Sequence, residues 1–152
     1  MDLSGKVILV TGAGRGIGRF LAVTFASNGA LVIGTARQMG SAAGSNGTLR
    51  ETSELVSRGG GKMLPLICDP ANLESASEAI ERSVKEFGRI DALINNAGVY
   101  SWHSVADTPF DEWRNAIDVN VNAVFNMCHL VIPHMKRQSL GRIVTITSIL
   151  AQ

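Results

Sequence analysis

The sequence has almost no net charge and few residues of the kinds that bind metals or form disulfides. Lys and Arg together exceed Asp and Glu by one, which gives a formal net charge of +1. A nearly neutral chain offers no electrostatic basis for binding nucleic acid or an anionic membrane surface. The two cysteines, Cys68 and Cys128, stand far apart, and the three histidines show no metal-ligand spacing, so we expect no metal site. We interpret both cysteines as free thiols of a cytoplasmic protein.

Long apolar runs are absent as well. No apolar run approaches the roughly 18 residues that a membrane-spanning helix needs, so we expect no contact with a membrane. The first residues carry an early acid, Asp2, and lead into a predicted strand, which is unlike a signal peptide. Hydrophobic residues make up 45% of the chain and charged residues 18%, values typical of a packed domain with a large apolar core. We therefore expect a single domain over residues 1–152.

Short apolar runs alternate with longer amphipathic stretches. The runs predict five strands, at residues 6–11, 30–35, 63–68, 90–95 and 142–147. A 3.6-residue apolar period predicts helices at residues 16–28, 48–58, 72–87 and 108–138. In the last helix we expect Thr108 as the cap, Pro109 in the first turn, and a bend or an early end at Pro133. The small and polar residues 40–47 predict a surface loop.

This alternation of strands and helices predicts the fold class. Crossovers of this length join parallel strands and place helices on both faces of the sheet. We expect an α/β fold, a Rossmann-like doubly wound parallel sheet with strand order 3-2-1-4-5. The fifth strand would then lie at an edge, where the apolar run 143–150 favours association.

A glycine-rich turn joins the first predicted strand to the first predicted helix, where residues 11–18 read TGAGRGIG. Glycine permits a tight turn and a close approach of the backbone to a pyrophosphate, and the helix N-terminus supplies N–H donors. A glycine-rich sequence also occurs in plain turns, but its place between strand and helix favours a dinucleotide site. The residues expected to contact the dinucleotide here are Gly12, Arg15, Gly16, Ile17 and Gly18.

The whole chain resembles the short-chain dehydrogenase/reductase family, because five of that family's motifs occur in the right order. The glycine loop has the spacing TGxxxGxG, with Gly14 as an extra glycine, and residues 95–98 read NNAG. The other matches are Asp69 after the third strand, Asn120 within DVNV, and Ser148 after the fifth strand. By resemblance, the dinucleotide also contacts Asp69, Asn96, Ala97 and Gly98.

The resemblance implies an NAD(P)-dependent oxidoreductase that transfers hydride between the dinucleotide and a small-molecule carbonyl or secondary alcohol. For the choice of dinucleotide, an NAD enzyme usually has an acid about 20 residues after the glycine loop. Here Arg37 occupies that region, and with Arg15 it can clamp a 2′-phosphate. Both arginines can also be solvated surface charges. We expect NADP(H) to be preferred over NAD(H).

Two catalytic residues are implied by the same resemblance. Ser148 would position the substrate carbonyl, and Asn120 would hold a water that connects the catalytic lysine to solvent. The family's tyrosine–lysine pair should follow the serine by about a dozen residues, which lies beyond Gln152. Tyr100 is the only tyrosine, and we expect it at the rim of the cleft rather than in the catalytic role. The 152-residue polypeptide alone is therefore expected to lack reductase activity.

Two alternatives to the enzyme remain. A non-catalytic nucleotide-binding module or a truncated isoform would bind the cofactor or a full-length subunit, although such a module has no chemical need for Asn120 or Ser148. A flavodoxin-like phosphoacceptor would place acids where the first strand ends, and this strand ends in Thr11 and Gly12. By resemblance, subunits pair through the long helix, which implies a homo-oligomer.

Overall fold

A computed structural model describes residues 2–40 and 47–148 of the chain. Its strands are β1 (Val7–Val10), β2 (Leu31–Ala36), β3 (Lys62–Ile67), β4 (Ala92–Asn95) and β5 (Arg142–Thr145). Its helices are α1 (Gly16–Ser27), α2 (Leu49–Arg58), α3 (Leu73–Phe87), α4 (Phe110–Ile117) and α5 (Ala123–Arg137). A π-helical turn, Asp118–Asn122, joins α4 to α5. Most of the predicted loop 40–47 and the end of the apolar run 143–150 lie outside the described residues.

The five strands form one parallel sheet in the order β3-β2-β1-β4-β5, which confirms the predicted topology. In the register, Leu9 of β1 pairs with Ile33 of β2 on one side and with Leu93 of β4 on the other. Since all strands run the same way, their carboxyl ends meet at one edge of the sheet, where ligands of such folds bind. β5 is an edge strand, and all four of its residues are exposed.

The core consists of two apolar layers, one on each face of the sheet. On one face, Leu9, Ile33 and Leu93 pack with residues of α3 and α5, including Ile80, Met127 and Val131. On the other face, Val10 and Val32 pack with residues of α1 and α2, including Ala22, Ala26 and Val56. The inner strands β1, β2 and β4 are largely buried and read as continuous apolar runs, which explains why the sequence locates them within one or two residues.

Helix ends follow local capping chemistry. Thr48 caps α2, where its side chain accepts a hydrogen bond from the Glu51 N–H at 3.0 Å. Asn72 caps α3 in the same way, with the Ser75 N–H at 2.8 Å. Gly88 ends α3 with a φ of +75°, a left-handed conformation that glycine adopts without steric cost.

The long helix differs from the prediction in three respects. Thr108 does not cap it, because Pro109 holds the N-cap position and the Thr108 hydroxyl donates instead to the Ser104 carbonyl at 2.8 Å. The helix does not end early at Pro133, since α5 continues to Arg137. The irregularity lies earlier, where the Ala123 N–H donates to the Asp118 carbonyl five residues back. Such a bond inserts one extra residue into the helical turn.

The expectation that no apolar stretch reaches membrane-spanning length also needs correction. The helical stretch Phe110–Arg137 has 28 residues and an 18-residue window of mean hydropathy 1.2, so length and composition alone qualify it. Part of this hydrophobicity serves the fold, because Met127, Val131 and Met135 are buried against the sheet and α3. The window as a whole is only 22% buried, so an apolar face also remains outside the core.

Candidate functional site

A cleft of about 760 Å³ opens at the carboxyl edge of the sheet. This volume is within the range of small-molecule and cofactor sites. The glycine-rich loop, the end of β2, the residues after β3 and the NNAG segment after β4 all contribute to its walls. The cleft brings together the predicted cofactor residues Gly12, Arg15, Gly16, Ile17, Arg37, Asp69, Asn96, Ala97 and Gly98. Gly18 lies behind the wall rather than in it.

The glycine loop follows β1 and turns into α1 at close quarters with the NNAG segment. A Cβ on Gly12 would lie 3.0 Å from the Cα of Ala97, and Gly12 itself has a φ of +68°. A Cβ on Gly18 would lie 2.3 Å from the Gly12 carbonyl oxygen and 2.5 Å from Nδ2 of Asn96. Side chains are thus excluded at both positions. The close packing leaves the backbone as the wall of the cleft, as an approaching pyrophosphate requires.

Hydrogen bonds of Thr11 connect the NNAG segment to the glycine loop. Its hydroxyl accepts hydrogen bonds from the N–H groups of Asn96 at 2.9 Å and of Ala97 at 3.0 Å. In return, Nδ2 of Asn96 donates to the Thr11 carbonyl at 2.9 Å. The motif NNAG predicts Asn96 in the site, whereas no motif predicts this role for Thr11. The available signal was a hydroxyl residue at the point where the first strand enters the loop.

The two predicted arginines stand on the side of the cleft that follows β2. Arg15 and Arg37 both line it, and both are exposed. Within the described residues neither forms an ion pair with an acid. No Asp or Glu follows β2 at this wall, because the chain there reads Ala36, Arg37 and Gln38. The local charge therefore favours an anionic group.

The residues after β3 form the opposite wall. The carboxylate of Asp69 accepts a hydrogen bond from the Ala71 N–H at 3.1 Å, which holds the segment that enters α3. Next to it, Cys68 lines the cleft although its side chain is fully buried, and burial raises the pKa of its thiol to about 11. The sequence predicts Cys68 only as a free thiol and gives no sign of its place in this wall.

The two predicted catalytic residues lie beyond the walls of the cleft as described. Asn120 sits in the π-helical turn, and its amide bonds to the backbone N–H and carbonyl of Val99, which does line the cleft. The amide that resemblance assigns to a water is therefore engaged with protein. Ser148 follows β5 at the same sheet edge, where the Ile146 N–H donates to the Asn95 carbonyl at 2.8 Å.

Aromatic side chains extend from the NNAG segment toward α4. Tyr100 is 62% exposed and meets Trp102 edge to face, with ring centroids 4.6 Å apart. Nδ1 of His103 lies 2.9 Å from a Glu112 carboxylate oxygen, which links this loop to α4. In the described part of the chain, no group of three His, Cys, Asp or Glu side chains has the arrangement of a metal site.

The fold and cleft define a class of protein: a Rossmann-type α/β protein whose first strand leads through a glycine loop into a helix. Within this class, the chain belongs to the short chain dehydrogenase family, whose model matches residues 6–152. This membership confirms the resemblance that the sequence motifs indicated.

Several relatives have a named activity or a solved structure with a bound dinucleotide. The chain is 40% identical over 149 residues to 3-oxoacyl-(acyl-carrier-protein) reductase FabG of Salmonella typhimurium, covering 98% of this chain and 57% of that protein. A solved structure of NAD⁺-bound xylitol dehydrogenase has 30% identity and a TM-score of 0.91, covering 99% of this chain and 56% of the other. A metagenomic short-chain oxidoreductase in complex with NADP has 31% identity and a TM-score of 0.88, covering 98% and 65%. The chain thus spans little more than half the length of the first two.

Proposed function

We propose that this chain binds a nicotinamide dinucleotide in the cleft and supplies the cofactor half of an oxidoreductase acting on a carbonyl or secondary alcohol. The observation that carries the proposal is the approach of Gly12 to Ala97, where a Cβ on Gly12 would lie only 3.0 Å from the Ala97 Cα. Two backbone segments this close, next to the start of α1, provide the N–H donors and the helix dipole that a pyrophosphate needs. The family and its relatives with bound NAD⁺ and NADP support the same cofactor class.

For the form of the dinucleotide, we propose NADP(H) over NAD(H). The support is local: Arg15 and Arg37 line one wall, and no carboxylate stands after β2 to accept the 2′-hydroxyl of NAD. A carboxylate at that place would repel a 2′-phosphate, whereas a guanidinium can pair with it through two hydrogen bonds. Because relatives with either dinucleotide exist, direct competition is the appropriate test.

The dinucleotide, when bound, supplies hydride transfer to or from the substrate carbon. The residues of this chain bind and orient the reactants around that step. Ser148, placed by β5 at the cleft's edge of the sheet, positions the substrate carbonyl, and Asn120 fixes the Val99 backbone beside the nicotinamide end. Tyr100 and Lys136 do not line the cleft as described, and we propose that neither supplies the proton. We propose that the 152-residue polypeptide by itself has no reductase activity.

We also propose that subunits associate through α4 and α5. Phe110 is 81% exposed and Phe125 66% exposed, and Trp113 adds a third exposed ring on α4. Large exposed apolar side chains on neighbouring turns are typical of protein–protein contacts.

The free thiols of Cys68 and Cys128 support a reducing, cytoplasmic location.

The test is a titration of the complete gene product with NADPH and NADH, followed by addition of a panel of ketones that includes a 3-oxoacyl thioester. The proposal is supported if either dinucleotide binds and is then oxidised when a ketone is added. Binding without oxidation by any panel member favours the nucleotide-binding module instead. Failure of both dinucleotides to bind would overturn the assignment of the cleft. The Gly12→Val variant is the control, because its side chain would collide with Ala97.

A further inference from the structure

A buried hydroxyl on α2 contacts the back of the glycine loop. Thr52 lies one turn after the Thr48 cap, and its side chain is fully buried. Its Oγ1 is 2.9 Å from the Ala13 carbonyl oxygen and 3.4 Å from the Gly14 carbonyl oxygen. The same hydroxyl lies 3.1 Å from the carbonyl of Thr48 in its own helix. Because a hydroxyl has one proton, its shortest contact marks Ala13 as the preferred acceptor.

Both peptide groups of Ala13 are thereby held. The Ala13 N–H donates to the Thr35 carbonyl at 2.8 Å, at the end of β2, and the Ala13 carbonyl accepts from Thr52. The next residue, Gly14, rests on the first turn of α2, where its Cβ would lie 3.2 Å from the Leu49 nitrogen. The glycine loop, which lines the cleft, is therefore held by contacts with β2 and α2 as well as by its connection to β1 and α1.

An arginine from α1 completes the contact. Nε of Arg19 donates to Oγ1 of Thr52 at 3.2 Å, so the hydroxyl accepts as well as donates. Nη2 of Arg19 lies 2.8 Å from a Glu51 carboxylate oxygen and 3.4 Å from the Thr48 carbonyl. Glu51 is half exposed, so its ion pair orients the guanidinium more than it stabilises the fold. Thr52 is thus the point where α1, α2 and the glycine loop meet.

We infer that Thr52 is a positioning residue for dinucleotide binding, acting through the Ala13 carbonyl of the glycine loop. The inference rests on the proposed function of the cleft. A loop that is already ordered binds without the entropic cost of ordering it. Loss of the hydroxyl leaves the Ala13 carbonyl and Arg19 Nε without this partner, and the loop can then leave the conformation that faces the ligand.

A purely structural role is the alternative, and the chain contains a control for it. Ser83 of α3 is also fully buried in a helix, and its hydroxyl donates to the Ala79 carbonyl four residues back at 2.6 Å. That bond stays within one helix, and Ser83 does not line the cleft. A helix-internal hydroxyl such as this supports stability without reaching the ligand.

The experiment measures the dissociation constants of NADPH and NADH and the thermal midpoint in the complete gene product. We expect Thr52→Val, which keeps the shape and removes the hydroxyl, to raise both dissociation constants about tenfold. Thr52→Ser, which restores the hydroxyl, should remain within about twofold of wild type. Ser83→Ala should lower the midpoint and leave both constants within about twofold.

Equal constants for wild type and Thr52→Val would overturn the inference, as would a rise of the same size in Ser83→Ala. Should Thr52→Val fail to fold, Arg19→Met decides, with an expected rise of about threefold and with no change as the overturning result. A wild-type protein that binds neither dinucleotide would remove the proposed function, and the inference with it. Binding by wild type that is insensitive to Thr52 would remove the inference alone.

Discussion

The side-chain amide of Asn120 pairs with the backbone of Val99 at two points. Its Nδ2 donates to the Val99 carbonyl at 2.9 Å, and its Oδ1 accepts from the Val99 N–H at 3.0 Å. Val99 follows the NNAG segment and lines the cleft, whereas Asn120 lies in the π-helical turn between α4 and α5. The π-helical turn, whose Val119 also lines the cleft, is thus joined by hydrogen bonds to the segment that follows NNAG.

Replacing Asn120 by Ala should loosen this tie. Both bonds are lost, and we expect the free energy of unfolding to fall by about 1–2 kcal/mol, because exposed hydrogen bonds are each worth about 1 kcal/mol. Dinucleotide affinity should fall as well, since the Val99 backbone loses its anchor. Chemical denaturation and a dinucleotide titration measure the two effects.

Asn122→Ala is the matched control for that change. Asn122 lies in the same turn, is exposed, and bonds only to the Asp118 carboxylate at 2.8 Å among the contacts described. It should shift stability by less than about 0.5 kcal/mol and leave affinity unchanged. Equal behaviour of the two variants would contradict the role assigned to Asn120.

Gly18→Ala should be strongly destabilising although the added group is a single methyl. Its Cβ would lie 2.3 Å from the Gly12 carbonyl oxygen, which is backbone and cannot move without reshaping the glycine loop. We expect a loss of about 3 kcal/mol or more and no measurable dinucleotide binding. Gly59→Ala, where the nearest atom is 3.5 Å away, should stay close to wild type by thermal unfolding. A folded Gly18→Ala protein with normal affinity would refute the packing argument.

Arg37→Ala should change the preference between dinucleotides rather than the affinity for both. We expect the dissociation constant of NADP⁺ to rise about tenfold and that of NAD⁺ to change less than about twofold, since only the former has a 2′-phosphate. The effect should shrink at high ionic strength, because the arginine is exposed. Arg58→Ala, at the end of α2 and outside the cleft, is the control. Equal loss for both dinucleotides would show that Arg37 does not recognise the phosphate.

The two thiols should differ in reactivity. Burial raises the pKa of Cys68 to about 11, so at pH 8 only about one thiol in a thousand is the reactive thiolate. Cys128 is half-buried and more accessible. A disulfide reagent at pH 8 should therefore modify Cys128 first and Cys68 only on unfolding or at higher pH. Loss of the fast phase in Cys68→Ala, rather than in Cys128→Ala, would contradict this assignment.

The inner strands β1, β2 and β4 could be predicted from the sequence because they are largely buried on both faces. Runs such as residues 6–11 are short and lack the periodic polar positions of an amphipathic helix. The rules of parallel crossovers then leave few topologies. The cleft could be predicted because glycine at residues 12 and 18 reports a steric requirement directly. In both cases the requirement is visible in the residue types themselves, as an unbroken apolar run or as a glycine.

Other features could not be predicted, because the residue types involved do not indicate a distant partner. Thr52 bonds to Ala13 from 39 positions away, and Thr11 bonds to the Asn96 N–H from 85 positions away. A threonine within a helical period gives no sign of such a bond. The prediction of Thr108 as the cap is wrong, because its hydroxyl donates to the Ser104 carbonyl and Pro109 is the N-cap of α4.

The π-helical turn has a consequence for the length of this segment. Each residue of a regular helix turns about 100° around the helix axis. One extra residue between Asp118 and Asn122 therefore rotates α4 by about that angle relative to α5. A single-residue deletion there would restore uniform winding, yet it would rotate Phe110 and Trp113 by about 100° relative to α5. The number of residues in this turn is therefore constrained by the two helices that it joins, in addition to the requirement for Asn120 at its centre.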